Sequence, residues 1–288
     1  MQKLILISVI SVVLTACSST RDTNSMISSS NISYNGGCTR KSYKLAIHMY
    51  CMFAERGDAK FQARLGSMYL LGNGVEQDYA AAIMWLKKAA EQGYAPAQFD
   101  LGNIYRVGSG VKQDYAKAAF WYRKAAEQGY IPAQHNLAIA YEKGQGVKQD
   151  NQSGILWRKK AAEQGYVLAQ SHLGDIYRAG SIVKKDYKTA VFWYKKAAEQ
   201  GNIPAQYNLG VAYENGYGVK QNYNAAVFWY KKVAEKNLAE AQHNLGRLYY
   251  FGYGVEKNIT KAFELIKKSA KQGNKKAQQT LRNLGKNW

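Results

Sequence analysis

The stretch Gly-Tyr-Ala-Pro-Ala-Gln at residues 93–98 recurs along the chain at intervals of 36 residues. It returns as Gly-Tyr-Ile-Pro-Ala-Gln at 129–134, as Gly-Tyr-Val-Leu-Ala-Gln at 165–170 and as Gly-Asn-Ile-Pro-Ala-Gln at 201–206. A fixed period of this length is typical of proteins that stack small structural repeats. The sequence therefore predicts an array of repeats.

The repeat at residues 97–132 predicts two helices joined by a turn. Its first half places apolar residues on one helical face, and Gly108 and Gly110 then end that helix. Its second half carries another apolar stripe at Tyr115, Ala118, Tyr122, Ala125 and Ala126. We expect Asp114 to cap this second helix, Gly129 to end it, and Pro132 to lie in the first turn of the next helix.

This register extends along most of the chain. Full repeats are predicted at 61–96, 97–132, 133–168, 169–204, 205–240 and 241–276. Residues 43–57 predict the second helix of a half repeat, and residues 277–288 predict a final first helix. Asn237 replaces the usual terminating glycine, and asparagine tolerates the left-handed conformation that this position needs. A hairpin of this size cannot bury its own apolar face, so neighbouring repeats must do so.

The pattern Ala-Gln-x-x-Leu-Gly-x-x-Tyr-x-x-Gly-x-Gly-Val, followed by Tyr-x-x-Ala-x-x-Trp-x-x-x-Ala-Ala-Glu-x-Gly, resembles the Sel-1-like repeat, which is related to the tetratricopeptide repeat. The resemblance covers residues 43–288. It implies an all-α, right-handed α-solenoid that acts in protein–protein contacts, and it brings no catalytic residues with it.

The first residues predict an export signal. A short basic start precedes the apolar run 4–13, which is too short to cross a bilayer. Leu14-Thr15-Ala16-Cys17 resembles a bacterial lipobox, so residues 1–16 are predicted to be a lipoprotein signal peptide and Cys17 to be the lipidated amino terminus. The alternative is an ordinary signal peptide with an incidental cysteine. Ser18 favours sorting to the outer membrane by analogy with enteric lipoproteins, facing the periplasm or exposed at the surface.

Residues 17–42 are rich in Ser, Thr and Asn, and they predict a flexible tether after the lipid. Two further cysteines, Cys38 and Cys51, remain in the exported chain. We expect them to form a disulfide bond, although two unpaired thiols are also compatible with the sequence.

The chain is strongly basic, with 40 Lys and Arg against 20 Asp and Glu. Much of this charge repeats as pairs in the second helices: Lys87-Lys88, Arg123-Lys124, Lys159-Lys160, Lys195-Lys196, Lys231-Lys232 and Lys267-Lys268. Such a charge would suit nucleic acid, but the predicted export argues against that ligand. Anionic lipid headgroups, lipopolysaccharide phosphates, peptidoglycan carboxylates, an acidic protein or a merely solvated face remain.

Three positions of each first helix vary while the rest of the repeat stays fixed. The first is occupied by Ala63, Phe99, His135, Ser171, Tyr207 and His243. The second is occupied by Ser67, Asn103, Ile139, Asp175, Val211 and Arg247. The third is occupied by Leu70, Arg106, Glu142, Arg178, Glu214 and Tyr250. Their spacing puts them on one face, expected to be concave and free of packing constraint.

Aromatic and arginine side chains on this face are the types that anchor protein interfaces. The predicted partner-binding residues are Phe99, Arg106, His135, Arg178, Tyr207 and Tyr250. The alternative is random variation on an unused surface.

We predict a non-catalytic protein-binding scaffold with no cofactor and no metal site. Its predicted partner is another protein, with an acidic protein or a toxin as the candidates, and its role is either envelope assembly or immunity against an exported toxin such as a phospholipase. A remote alternative is a β-lactam or cell-wall hydrolase, because Ser109 and Ser181 each begin a Ser-x-x-Lys motif. Both motifs lie in predicted loops between helices, and no companion element of such enzymes accompanies them.

Overall fold

The structure, a computed structural model, describes residues 45–287, and these form helices and connecting loops without a strand. The first four helices are α1 (Leu45–Glu55), α2 (Ala59–Leu71), α3 (Tyr79–Glu91) and α4 (Ala95–Val107). They are followed by α5 (Tyr115–Glu127), α6 (Ile131–Lys143), α7 (Asn151–Glu163), α8 (Val167–Ala179) and α9 (Tyr187–Glu199). The last five are α10 (Ile203–Asn215), α11 (Tyr223–Ala234), α12 (Ala239–Phe251), α13 (Ile259–Lys271) and α14 (Lys275–Asn283).

Each helix packs mainly against the helices before and after it in the chain, which is the arrangement of a repeat solenoid. The even-numbered helices from α2 to α12 are the first helices of the repeats and are called A helices below. The odd-numbered helices from α3 to α13 are the second helices and are called B helices. The predicted all-α solenoid is confirmed.

Local sequence signals set the ends of these helices. The Asp114 side chain accepts a hydrogen bond from the Lys117 backbone N–H at 2.9 Å, as predicted for the start of α5. Pro132 lies in the first turn of α6. Asn237 is the non-glycine residue with a positive φ, 62°, within the described chain, so the prediction for this turn is confirmed.

In three repeats, a close contact between a glycine of the A helix and a tyrosine of the B helix joins the two helices, at Gly102, Gly174 and Gly210. A Cβ atom added at Gly102 would lie 2.5 Å from the Tyr122 ring, and one added at Gly210 would lie 2.7 Å from the Tyr230 ring. The glycine is therefore required because it lets the helices approach closely. The tyrosine follows the repeated tryptophan in sequence, and it is more deeply buried than the tryptophan of its own repeat.

Buried glutamines connect one repeat to the next. Gln98 Nε2 donates to the Ala90 carbonyl at 3.0 Å, and Gln128 Nε2 donates to Gln98 Oε1 at 2.8 Å. Equivalent glutamine pairs join Gln92 to Gln62, Gln164 to Gln134, Gln200 to Gln170 and Gln272 to Gln242. This network explains why glutamine recurs at both positions of the repeat.

The two ends of the array differ slightly from the predictions. The helix of the predicted half repeat 43–57 is α1, and the final helix begins at Lys275 and ends at Asn283 rather than running to the end of the chain. Leu281 of α14 is buried against α13, so α14 covers the last apolar face. None of the described helices is both long and apolar enough to cross a membrane.

Cys51 is buried in α1 and takes part in a disulfide bond. Its predicted partner, Cys38, lies outside the described residues, as do the predicted signal peptide, Cys17 and the tether at 17–42. The pairing of Cys38 with Cys51 and the lipidation of Cys17 stay predictions.

Candidate partner-binding face

The A-helix face, defined here by the three variable positions of the A helices, is not uniformly free of packing. His135 and His243 at the first position are only 7% and 5% exposed, and Ala63 and Ser171 are buried as well. The expectation that this position is free of packing constraint is wrong. The first position faces the neighbouring repeat, where side chains of different size fill different gaps.

The two aromatic residues at this position are half-buried for the same reason. Phe99 packs against Tyr122 and Tyr130, with ring centroids 5.9 and 5.5 Å apart. Tyr207 lies 5.9 Å from the Tyr230 ring and accepts a hydrogen bond from Asn244 at 3.3 Å. Both side chains therefore support the stacking of repeats and present only part of their surface to a partner.

Arg106 and Arg178 at the third position are exposed, and each is held by a buried tyrosine. Arg106 Nε donates to the Tyr122 hydroxyl at 3.2 Å, and Arg178 Nε donates to the Tyr194 hydroxyl at 3.0 Å. This hydrogen bond orients the remaining guanidinium donors before any partner arrives, and Arg178 Nη2 also lies 3.8 Å from Asp175 Oδ1. Such preorganised donors suit a carboxylate or a backbone carbonyl of another protein.

The tyrosine hydroxyls are oriented in turn by groups at the second variable position. Tyr122 donates to Asn103 Oδ1 at 2.8 Å, and Tyr194 donates to Asp175 Oδ1 at 2.7 Å. Burial, reinforced by Asp175, raises the pKa of Tyr194, so this hydroxyl stays a donor. The network fixes the arginines through two successive hydrogen bonds.

A cleft of about 360 Å³ opens beside Arg106 between α4, α5 and α6. The residues that line this cleft include Arg106, Tyr122, Asn136, Ile139 and Lys143. No carboxylate of the described chain forms an ion pair with Arg106 or Lys143. The cleft therefore offers two uncompensated cations beside polar hydrogen-bonding groups.

Tyr250, the last predicted anchor, lies near the end of α12. Its ring centroid is 5.1 Å from Phe251 and 6.2 Å from Phe263, and it is half-buried. The six predicted residues thus fall into two exposed arginines, three half-buried aromatic residues and one buried histidine.

The repeat at α6 and α7 contains a buried ionic cluster that the sequence analysis missed. Arg158, at the position of Tyr122 and Tyr194, is 2% exposed. Its Nη2 donates to Glu142 Oε1 at 2.6 Å, and its Nη1 lies 2.9 Å from His172 Nδ1 and 3.4 Å from His135 Nδ1. An arginine can only donate, so these histidine nitrogens act as acceptors and the imidazoles are neutral.

The same cluster lowers the pKa values of both of its histidines. Burial, reinforced by Arg158 and His172, lowers the pKa of His135 to about 4. Burial and Arg158 also lower the pKa of His172. The cluster thus brings two of the four histidines together around the Arg158 guanidinium. This arrangement does not suit a metal ion, because a permanent cation already occupies the histidine nitrogens that would bind the metal. Within the described residues, no three His, Cys, Asp or Glu side chains are grouped so that they could hold a metal ion.

Two replacements in this repeat accompany Arg158. Ala138 stands where the neighbouring A helices have the closely packed glycine, and Gly154 stands where the B helices have a small apolar residue. A Cβ atom at Gly154 would lie 2.8 Å from Glu142 Cγ. A tyrosine could not pack against Ala138 as Tyr122 does against Gly102, whereas the glycine at 154 leaves room for the carboxylate. The simultaneous loss of glycine and tyrosine was the available sequence signal.

The comparisons with known proteins agree with this architecture. The family model of the Sel1 repeat matches residues 29–58, 59–94, 95–130, 131–166, 167–202, 203–238 and 239–274. The chain belongs to the Sel1 repeat family. The family model matches seven repeats, compared with the six full repeats predicted from the sequence. The additional match, residues 29–58, extends the predicted half repeat towards the amino terminus.

Two solved Sel1-type structures are similar to this Sel1 repeat protein. A protective antigen present in uropathogenic Escherichia coli strains is 43% identical with a TM-score of 0.77, over 82% of this chain and 50% of the antigen. A Sel1 repeat protein from Oxalobacter formigenes is 36% identical with a TM-score of 0.68, over 83% of this chain and 69% of that protein. This chain thus spans about half of the E. coli protein.

An immunity protein from Pseudomonas aeruginosa is more distant, with 23% identity and a TM-score of 0.43, over 70% of this chain and 77% of that protein. That likeness is too weak to add to the assignment. A comparison with curated proteins found no match.

Proposed function

We propose that this Sel1 repeat protein is a non-catalytic scaffold that binds another protein through its A-helix face and is held at the bacterial envelope by a lipid on Cys17. The Sel1 repeat architecture fits a protein-binding scaffold, and this chain gives the scaffold a surface that changes from repeat to repeat. The preorganised pair Arg106 and Arg178 is the observation that carries the proposal.

The two arginines meet the physical requirements of interface anchors. Arg178 is 51% exposed at its side chain, whereas its support Tyr194 is 1% exposed. An arginine held on a rigid base loses little conformational entropy on binding, which favours affinity. The cleft beside Arg106 adds Lys143 as a second cation, so an acidic segment of the partner is expected to bind here.

The envelope location rests on the sequence 14–17 and on the E. coli relative. An antigen that protects must be reachable by the immune system, and this supports an exported location for a protein 43% identical to it. An immunity role against an exported toxin is a narrower form of the same proposal. Capture of a toxin as the partner would favour the immunity role over a role in envelope assembly.

The test is capture of the partner by the tagged full-length chain, with the partner identified by mass spectrometry and its affinity then measured. We expect the double variant Arg106→Gln with Arg178→Gln to weaken binding by about 30-fold or more, because arginine anchors typically contribute about 2 kcal/mol when truncated. The predicted aromatic anchors are less suitable for this test. Truncating Phe99, for example, would also remove packing between repeats, so a loss of binding could come from a loss of stability.

Arg123 gives a matched control on the B-helix side of the array. Its Nη2 donates to the Tyr141 hydroxyl at 2.9 Å, so Arg123→Gln removes the same kind of arginine–tyrosine hydrogen bond from another surface. We expect this variant to bind with unchanged affinity. If Arg123→Gln abolishes binding and the double variant does not, the A-helix face is not the binding surface.

A further inference from the structure

One position of the B helices carries an exposed apolar side chain in four consecutive repeats. Phe120, Leu156, Phe192 and Phe228 are 53%, 54%, 50% and 51% exposed. Single exposed apolar side chains are ordinary in soluble proteins. Four at the same position of α5, α7, α9 and α11 recur on the same side of the solenoid, and repeated exposure of large apolar side chains on one surface is typical of an interaction site.

A lysine accompanies each of these side chains one helical turn later. Lys124, Lys196 and Lys232 place Nζ at 5.7, 5.1 and 4.7 Å from the centroids of Phe120, Phe192 and Phe228. Lys160 lies instead 4.1 Å from the Trp157 ring centroid. The four apolar residues and these four lysines are called the Phe–Lys stripe below.

The charges of the stripe are not compensated within the protein. None of its four lysines forms an ion pair with a carboxylate in the described part of the chain. In the repeat of Lys160, the nearby Glu163 pairs instead with Lys159, at 3.8 Å. The stripe therefore joins unpaired cations to half-exposed apolar groups.

The last repeat shows the same position in a neutralised form. Glu264 replaces the apolar residue in α13, and Lys268 Nζ lies 2.8 Å from its carboxylate. The stripe thus ends before the final repeat, where both its apolar group and its free charge are absent. This contrast shows that the fold does not require an apolar side chain or an unpaired lysine at these positions.

We propose that the Phe–Lys stripe docks this protein onto an anionic lipid surface. Aromatic and aliphatic side chains next to lysines are the composition of surfaces that lie in the membrane interface, with the apolar groups at the boundary between headgroups and acyl chains. The lysine stems cover apolar surface while their ammonium groups reach the lipid phosphates. Each lysine near an anionic membrane adds to an electrostatic attraction that weakens as the salt concentration rises.

The uniformity of the stripe favours a lipid surface over a protein. The A-helix face differs in every repeat, as a surface for one specific partner does. The stripe instead presents the same chemistry at a fixed interval, which matches a ligand that is itself laterally uniform and negatively charged. The inference concerns a different surface from the proposed protein-binding function and stands independently of it.

The fluorescence of the tryptophans next to the stripe can report whether the stripe contacts a membrane. Trp121, Trp193 and Trp229 have ring centroids 5.1, 4.9 and 5.1 Å from Phe120, Phe192 and Phe228. The full-length chain is mixed with vesicles whose acyl chains carry bromine, which quenches nearby tryptophan. We expect quenching with vesicles of about one third phosphatidylglycerol in phosphatidylcholine, much less with phosphatidylcholine alone, and reversal at about 1 M salt.

The variant Phe120→Gln, Phe192→Gln, Phe228→Gln is expected to weaken binding to anionic vesicles by about 100-fold, because three half-exposed phenylalanines no longer enter the interface. The matched control Leu71→Gln, Val107→Gln, Leu168→Gln removes three exposed apolar side chains outside the stripe. It is expected to bind normally. Circular dichroism checks that both variants keep the helix content of the original protein.

Absence of quenching with anionic vesicles, or equal quenching of the stripe variant and the original protein, would overturn the proposal. Loss of partner capture by the stripe variant without any vesicle binding would instead make the stripe a protein interface. Failure of the Arg106 and Arg178 variant to affect capture concerns the A-helix face alone, so the two proposals fail separately.

Discussion

At the scale of single residues, Arg158 is the most unusual side chain of the array. It is a nearly inaccessible cation at a position where the adjoining repeats bury tyrosine, and Glu142 compensates its charge from the preceding helix. A buried ion pair contributes little relative to apolar packing, but removing one partner leaves an uncompensated charge, which is costly. The cluster is therefore stable only as a complete set.

We expect Glu142→Gln to lower the free energy of unfolding by about 3 kcal/mol, because the Arg158 guanidinium keeps its burial and loses its counter-ion. Urea unfolding followed by circular dichroism measures this. Glu163→Gln is the control in the same repeat, since Glu163 pairs with Lys159 at 3.8 Å with both side chains more than half exposed. Its effect is expected to stay within about 0.5 kcal/mol. Equally small effects of the two variants would contradict the assigned role of Glu142.

The sequence alone predicts poorly which variable residues are exposed. Phe99, His135 and Arg106 share one helical face in the sequence pattern, yet the structure places them in three different environments. The helical period gives the direction of a side chain from its own axis. It does not give the distance of the adjacent repeat, which covers the first position and leaves the third exposed.

At the scale of helices and their junctions, local signals predicted most of the structure. Capping by Asp114, the proline in the first turn of α6 and the left-handed Asn237 depend on neighbouring residues only, so they can be derived from the sequence. The glutamine pairs between repeats connect residues 30 positions apart. These pairs form only when the repeats are stacked, so they could not be derived from neighbouring residues in the sequence.

One junction lacks this glutamine pair and allows a sharp prediction. Lys236 occupies the position of Gln92, Gln128, Gln164 and Gln200, and the buried Gln206 Oε1 has no hydrogen-bond partner among residues 45–287. We expect Lys236→Gln to raise the free energy of unfolding by about 1 kcal/mol, because the new amide would donate to Gln206 Oε1. Thermal and urea unfolding measure this gain.

Two further variants separate the hydrogen bond from loss of the lysine charge. Lys236→Ala removes the charge without supplying a donor, and we expect no comparable gain from it. Gln200→Lys creates the same defect at an intact junction, where Gln200 Nε2 donates to Gln170 Oε1 at 2.8 Å. It is expected to lower the free energy of unfolding by about 1 kcal/mol. A gain from Lys236→Ala equal to that of Lys236→Gln would refute the explanation.

At the scale of the whole molecule, the 36-residue period of the sequence is enough to predict the architecture. The family and the solenoid follow from spaced residues that recur along the chain, such as Gly102 and Trp121 with their equivalents. Surface properties follow less directly, because the sequence shows paired basic residues in every B helix but not which of them are neutralised by a carboxylate. The structure distinguishes Lys159, paired with Glu163, from Lys160, which lies over Trp157.

The two proposed attachments to a membrane can be told apart by changing Cys17. Lipid anchoring depends on buried acyl chains and resists salt, whereas contact through the Phe–Lys stripe is partly electrostatic and weakens as salt screens the charges. We expect Cys17→Ser either to leave the membrane fraction on washing with about 1 M salt, while the original protein stays bound, or to keep residues 1–16 as an uncleaved precursor. Fractionation of cells followed by detection of the tagged chain measures this. Retention of Cys17→Ser after the salt wash, together with normal removal of residues 1–16, would show that the lipid is not the anchor.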